Sequence, residues 1–435
     1  TGRDFNGQSQ YADISTYGDT LVRKSNANSP EHVVTYVNEI VENPEGSAQY
    51  DKMTTGGLAL KASRSFSNLD QVRAWIGNGI PVKHLHPDDS DSIGPSNLIT
   101  DLFFFLLTDK TAGAGKAVGM DIDNTDLINT TELASTAKFL RTNKLFFDGA
   151  LTSPQNFRDF ASELAPNFLC NFVISNGQFS LTPALPVTAS GAISIDRVPI
   201  KQIFTSGNIL EDSFELNYFA KESRNDFIAV VRYRKEDKNK FPSERTVSVR
   251  PSETDPESPI ETFDLTAFCT SEDHAKLVGK FFTSVRRRVT HTISFQTTPS
   301  GLDLSPGDFI KVTTTASPYS NANNGTIDGS GVITSTTTLD DGTYNIVYYV
   351  SGSGSEETQA DVMSVSAGKV LESKFYNSIF TVENPTDSEN VYQVEQLTLD
   401  KDNLVQIVAS EYPCRNNLSS KIAHDVLHGQ FIFEP

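Results

Sequence analysis

The chain has 435 residues, enough for roughly two to four compact units with cores of their own. It carries 36 Lys plus Arg against 55 Asp plus Glu, a formal net charge of −19 with an isoelectric point near 4.8. Such a surface repels a phosphate backbone and excludes sequence reading of DNA or RNA through a basic patch, while suiting a soluble protein or a conduit along which nucleic acid slides without adhering.

Apolar residues make up 37% of the chain, with 28 Phe and 13 Tyr against one Trp and three Met, so its cores are expected to be aromatic and aliphatic. Cys170, Cys269 and Cys414 lie far apart without a CxxC pair, which argues against a disulfide framework or a zinc ribbon. They read as buried, reduced thiols of a protein made in a reducing cytoplasm. No apolar run reaches the about 18 residues that a membrane span needs, and no signal peptide opens the chain. Thr1 in place of Met leads us to expect a trimmed or partial chain.

In chain order, residues 1–30 are polar and show little period. "HVVTYVNEIVEN" (32–43) suits a strand, and "GGLALKASRS" a shorter one in which Leu58, Leu60 and Ala62 alternate. "SNLDQVRAWIGNGIPV" predicts a helix capped by Ser67 or Asn68 and stopped at Gly77 or Gly79. "GPSNLITDLFFFLLTD" predicts another, capped by Ser96 or Asn97 and apolar to Leu107. Further helices are expected in "DLINTTELASTAKFLRTN" and in "SPQNFRDFASELAP", the latter with Ser153 as cap and Pro154 at its first position. Asn176-Gly177 between apolar runs is a hairpin signal.

From Val198 the pattern turns to β. "DSFELNYF" alternates Phe214, Leu216 and Tyr218, and "NDFIAVVRYRK" is a Val/Ile-rich strand. Residues 236–265 read as a polar, Pro-rich connection. Leu277, Val278, Phe281, Phe282 and Val285 form a helical stripe behind a Ser/Glu/Asp start. Val289, His291, Ile293 and Phe295 alternate with polar residues, and "LSPGDFIKVTTT" is a turn feeding a strand. Residues 316–368, rich in Ser, Thr, Gly and Asn, read as an inserted β-unit. "NVYQVEQLTLDKDNLVQIVASEYP" is a hairpin with its turn at Asp400 to Asn403.

Four clusters could carry chemistry. His84 and His86, two residues apart, could ligate a metal with Asp88, Asp89 or Asp91. Pro87 and the Ser-Asp-Ser-Ile-Gly-Pro continuation instead favour a solvated loop. Asp121, Asp123, Asp126 and Glu132 have the spacing of a calcium loop, but Asp126 stands where that loop needs Gly. "TAGAGKAVG" (111–119) lacks the GxxxxGK[ST] spacing and follows a helix, so it reads as a helix cap and turn. Arg286, Arg287 and Arg288 close a helix, where the dipole favours cations, and are expected to form an intersubunit ion-pair site or a solvated end. No GxSxG and no Cys/His spacing signals a nucleophile. We therefore nominate no catalytic, cofactor or metal residue and expect no enzyme.

"HVVTYVNEI", "SNLDQVRAWIGNGIPV", "GPSNLITDLFFFLLTDKTAGAG", "SPQNFRDFASELAPNFLCNFVISNGQFSLTP", "DSFELNYFAKESRNDFIAVVRYR", "LSPGDFIKVT" and "VYQVEQLTLDKDNLVQIVASEYP" occur in one order from about residue 30 to 413. Together they resemble the hub region of phage tail-tip proteins, the lambda-type host-specificity protein J family, with Tyr412 at the usual domain end. The 316–368 insert and the lack of fibronectin-like and receptor-binding extensions depart from that pattern. The resemblance implies an α+β, mainly β fold, with tail-tube-like β-barrel hub domains, a peripheral α+β domain and an inserted β-hairpin unit. Its expected divisions are an arm and first hub segment (1–66), a helical α+β domain (67–185) and a second hub segment with one helix (186–315). The insertion (316–368) and a closing hairpin with a C-terminal tail (369–435) follow. Barrel strands are expected from 30–66, 198–312 and 370–412.

The implied function is a structural virion protein, assembled in the host cytoplasm, that closes the tail tube and opens for DNA ejection. Its implied partners are two sister copies in a homotrimer, a distal tail protein or tube ring, the tape-measure C-terminus, and fibre or spike proteins. DNA would pass only transiently through an acidic lumen. The alternative is a tail-associated glycan-binding or wall-degrading protein, whose Tyr and Phe would stack on sugars.

Overall fold

The computed structural model describes Thr20–Val22, Leu58–Leu60 and residues 81–434, apart from 90–91, 111–112, 152–155, 176, 206, 238–239, 314–322, 351–358, 383–390, 401–402 and 416. The chain divides into two units, Thr1–Ile76 and Gly77–Pro435. In the first, β1 (Thr20–Val22) pairs antiparallel with β2 (Leu58–Leu60). The strand expected over 32–43 and the helix expected to stop at Gly77 or Gly79 lie outside the described residues.

The second unit opens with the hairpin β3 (Pro81–Lys83) and β4 (Ile93–Pro95), then α1 (Ile99–Thr108), α2 (Gly115–Val118), α3 (Thr130–Thr142) and α4 (Phe157–Leu164). The hairpin β5 (Cys170–Ser175) and β6 (Gln178–Pro183) follows, its register closing Ser175 on Gln178 around the two-residue loop that Asn176-Gly177 predicts. Gly177 has φ 77°, the left-handed conformation such a loop demands. Two caps differ from expectation. The cap of α1 is Leu98, which has no side-chain acceptor; Ser96 Oγ accepts from Leu98 N at 3.1 Å instead. For α4 the cap is Asn156, whose side chain accepts from Arg158 N and Asp159 N; Ser153 and Pro154 are outside the described residues. An amide oxygen one residue before the first turn satisfies two orphan donors there.

The later strands are β7 (Ile200–Thr205), β8 (Glu215–Tyr218), β9 (Ile228–Asp237), β10 (Lys240–Pro251) and β11 (Ile260–Asp264). After them come α5 (Glu272–Arg288), β12 (His291–Thr297) and β13 (Phe309–Thr313). Next are β14 (Asn324–Ile327), β15 (Ile333–Ser335), β16 (Gly342–Val350), β17 (Gln359–Ser366), β18 (Lys369–Val370) and β19 (Ser378–Val382). β20 (Val391–Leu399), β21 (Val405–Glu411), α6 (Lys421–His428) and β22 (Phe431–Glu434) complete the chain.

The fold is mainly β with helices, and its central sheet is nearly closed, like a barrel. That sheet runs β7-β13-β20-β21-β12-β8. Just after β7, Ile209 bridges back to Thr297 at the end of β12, which curls the two ends toward each other. Inside sit Phe204, Phe295, Ile310, Tyr392 and Ile407, all 1% exposed or less. The expected period-2 pattern of β12 holds: His291, Ile293, Phe295 and Thr297 are buried in alternation. Strands come from 200–218, 291–313 and 391–411, not from the whole of 198–312.

The intervening residues build a second sheet, β11-β9-β10-β22, covered by α5. The polar, Pro-rich stretch 236–265, to which the sequence reading gave no element, holds β10 and β11. β10 buries one face only, through Val247 and Val249, so half of it is polar; Pro242 falls at its bulge, between Lys240 and Ser243. A Cβ at Gly279 would lie 2.7 Å from Val249 Cγ2, so glycine lets α5 press onto this sheet. Nor does the chain end in a tail after Tyr412. That residue is buried and bonded to Ser420 Oγ at 2.8 Å, and β22 completes the edge of β10.

The insertion is a sheet of order β15-β14-β19-β16-β17-β18 with its own core around Ile346, Met363, Phe375 and Phe380. Its strands run from Asn324 to Val382, beyond the segment that composition singled out, since β19 is Val- and Phe-rich yet sits at the sheet centre. Among the described residues no helix is long and apolar enough to cross a membrane.

Candidate functional site

Residues 84–89 form a loop whose Pro87, Asp88 and Asp89 are exposed, as expected, while Leu85 and His86 are buried beneath it. His86 is 4% exposed, and its Nδ1 accepts from Arg141 Nη1 at 3.0 Å and Asp88 N at 3.2 Å. Burial, and then the Arg141 cation, lower its pKa, so the ring is held neutral. Arg141 also pairs with Asp89 at 2.5 Å, while Asp101, buried in α1, accepts from Leu85 N at 3.0 Å and Ser96 Oγ at 2.6 Å. His84 Nδ1 bonds Ser92 Oγ at 2.9 Å. These contacts pin the first hairpin to α1 and α3. An Arg donor aimed at the ring nitrogen is the opposite of what a metal ligand needs.

The acidic run is likewise dispersed. Asp121 folds its own loop, accepting from Asp123 N and Asn124 N, and pairs with Lys110 at 3.0 Å. Glu132 lies inside α3, where its amide donates to the Asn129 cap. Burial, with Asp308 nearby, raises the Glu132 pKa. Among the described residues no group of three or more His, Cys, Asp or Glu could hold a metal.

In 113–119 the amides are consumed by the helix end: Ala114 N donates to Leu106 O at 2.7 Å and Gly115 N to Asp109 O at 3.1 Å. A Cβ at Gly115 would stand 2.3 Å from Thr108 O, which explains the glycine without any phosphate.

The three arginines each pair with a carboxylate of this chain. Arg286 grips Glu261 bidentately at 2.6 and 2.9 Å over the Phe227 ring, fastening α5 to β11. Arg287 holds Glu253 at 2.7 Å, and Arg288 holds Asp425 of α6 at 2.8 Å. These carboxylates lie 25, 34 and 137 residues away in sequence, out of reach of a local reading.

Cys170, Cys269 and Cys414 are free and buried. Burial raises all three thiols, Cys269 to about 11 and Cys414 to about 12. The native protein should therefore take up less than about one equivalent of a thiol reagent at neutral pH and three after denaturation. Rapid native labelling would refute the buried positions.

A buried polar set, which sequence reasoning missed, joins three barrel strands. His291 Nε2 bonds Tyr392 Oη at 3.0 Å, its Nδ1 lies 3.3 Å from Glu411 Oε2, and Glu411 accepts from Thr290 N at 2.7 Å. Its members come from 290–291, 392 and 411, and only the inward phase of His291 in β12 hinted at it.

What the fold leaves open is sheet border. Among the described residues β8 pairs only with β12, and it is mostly exposed; Tyr218 is 52% and the adjoining Phe219 41% exposed. Among the described residues β5 likewise pairs only with β6. Beside β5 a trough of about 600 Å³ continues into a second of about 480 Å³, the two sharing Phe172, Val173, Pro306 and Glu395. Unpaired backbone along a sheet edge is a template for another strand.

No protein-family model matches the sequence, and no curated protein does either. Among solved structures the chain is similar to one in the virion of a native gene transfer agent particle, at 9% identity over 67% of this chain and 48% of that one, with a TM-score of 0.35. It is similar to a tail protein from Neisseria meningitidis MC58, at 7% identity over 62% and 59%, with a TM-score of 0.28. It is also similar to a 43 kDa tail protein of prophage MuSo2 from Shewanella oneidensis, at 9% identity over 62% and 56%, with a TM-score of 0.24. The chain thus spans about half the length of these structures.

Proposed function

We propose that this chain is a structural virion protein, the hub of a phage tail tip, which closes the tail tube and opens for DNA ejection. The observation that carries this reading is the nearly closed sheet with an unpaired border at β8. A barrel-like sheet that stops short of closure leaves backbone donors and acceptors that a sister copy or a tube ring can satisfy. The co-linear resemblance to tail-tip hubs supports the same reading. The net charge of −19 suits a lumen that DNA passes by repulsion. The role is mechanical rather than catalytic: Glu411, the carboxylate lining the trough, is committed to Thr290 and His291, which leaves Glu395 without a paired acid.

The hub is a homotrimer at the virion tail tip. It meets a distal tail protein or tube ring on one side and fibre or spike proteins on the other, with the tape-measure C-terminus held between. Light scattering of the purified chain, alone and mixed with tube-ring protein, should give a trimer in one of the two. A monomer under both conditions, with release of fragments from host wall, would refute the proposal in favour of the enzyme reading.

A further inference from the structure

The trough beside β5 has two strand edges as its walls. Every residue from Asn171 to Ser175 lines it on one side and every residue from Gln393 to Leu399 on the other. A wall formed by a sheet face would show alternate residues, because successive side chains point to opposite faces; an unbroken run marks an edge. Among the described residues β5 has β6 as its one neighbour, and the second edge of β20 is bonded from Val391 to Val394, where Val394 exchanges backbone bonds with Gly307 and Asp308, and is open from Glu395 onward. Because Ser175 and Gln178 flank a two-residue loop, they form a hydrogen-bonded pair. The same parity directs the amides and carbonyls of Phe172 and Ile174 away from β6, into the trough.

Two further observations say what fills it. Ile174, Leu302 and Leu399, at 41%, 50% and 54% exposed, all line its outer half, an apolar patch of the kind a partner covers. Arg224 lines the inner half with its Nε buried and without a hydrogen-bond partner, and Arg158 lines the outer half. Arg286 and Glu411, which also line the trough, are committed to Glu261 and to Thr290 and His291, so Arg224 and Arg158 face it beside one carboxylate, Glu395.

We propose that the trough is a strand-addition site: an extended segment of a partner chain, alternating apolar and acidic residues, pairs with the free edge of β5. Its apolar side chains cover Ile174, Leu302 and Leu399, its carboxylates meet Arg224 and Arg158, and its far edge faces 395–399. Main-chain bonds supply affinity and the alternating pockets supply specificity. This site meets the β8 border at Phe219 but uses the edge of β5, and it rests on the tail reading only for which protein donates the segment.

The test uses the full chain and a fluorescein-labelled nonapeptide, Thr-Val-Glu-Val-Thr-Val-Glu-Val-Thr, with a control carrying Lys in place of both Glu. Fluorescence anisotropy should show binding of the acidic peptide and at least about tenfold weaker binding of the Lys peptide. Hydrogen exchange should slow at Phe172 and Ile174. Arg224→Ala should weaken binding about tenfold with an unchanged thermal melt. Ile174→Pro, which deletes an edge amide, should abolish it. No binding of the acidic peptide at about 1 mM, equal binding of both peptides, or protection confined to β8 would overturn the proposal. Because the peptide is tested on the isolated chain, its failure leaves the oligomeric state, and so the hub reading, separately testable.

Discussion

Phe295→Ala should lower the unfolding free energy by about 3–5 kcal/mol, a large share of the roughly 5–15 kcal/mol that holds a domain together. Phe295 is fully buried in the barrel-like sheet, its ring 4.9 Å from Phe204 and 6.5 Å from Phe214. Phe204 lies in β7 and Phe214 just before β8, the two ends of the sheet, so the ring ties both ends to β12. Truncation leaves a cavity that rigid strands cannot collapse to fill. Urea unfolding followed by circular dichroism measures the loss, and Phe295→Leu should keep all but about 1.5 kcal/mol. Under the proposed trimeric hub, the alanine variant should also lose trimer formation, because an unsupported β8 cannot present an ordered edge. A midpoint unchanged by the alanine would show that this ring is not the keystone of the sheet.

Glu411→Gln is the second large effect. The carboxylate accepts from Thr290 N at 2.7 Å and Thr290 Oγ at 2.5 Å and faces His291, fully buried, across 3.3 Å. An amide keeps one acceptor oxygen but turns an NH₂ toward donors, so one or two buried groups lose their partner, at about 1–3 kcal/mol each. The pH dependence gives a sharper signature. Burial works against the ionised form of Glu411, but hydrogen bonds from His291 and Thr290 outweigh it and hold the pKa below the ordinary 4.5. As pH falls, the unfolded chain therefore takes up the proton first. The stability that Glu411 contributes is complete above about 4.5 and is lost as pH drops through the folded value. The Gln variant should be less stable at neutral pH and lose less between about pH 6 and 3. Parallel acid-unfolding curves for the two proteins would remove the carboxylate from the account.

Local pattern determined much of this protein. The stripe from Leu277 to Val285, the Asn176-Gly177 loop and the alternation of Val289 to Phe295 each became the element they predicted, because hydrophobic period and turn chemistry act over a few residues. The three cysteines were legible as buried thiols from their isolation alone. The mainly β class was legible too. β10 was not, since a strand covered on one face and interrupted by Pro242 looks like a linker until β9 and β22 flank it.

Long-range pairing was settled elsewhere. Only the tertiary structure joined Arg286, Arg287 and Arg288 to Glu261, Glu253 and Asp425, and Arg141 to His86. Only it brought His291, Tyr392 and Glu411 together, and left β5 and β8 without a second neighbour among the described residues. The composition, period and turns of a sequence specify which residues seek burial. Which partner a charge finds, and which edge is left bare, depends on strand order, and strand order is set by contacts a hundred or more residues apart.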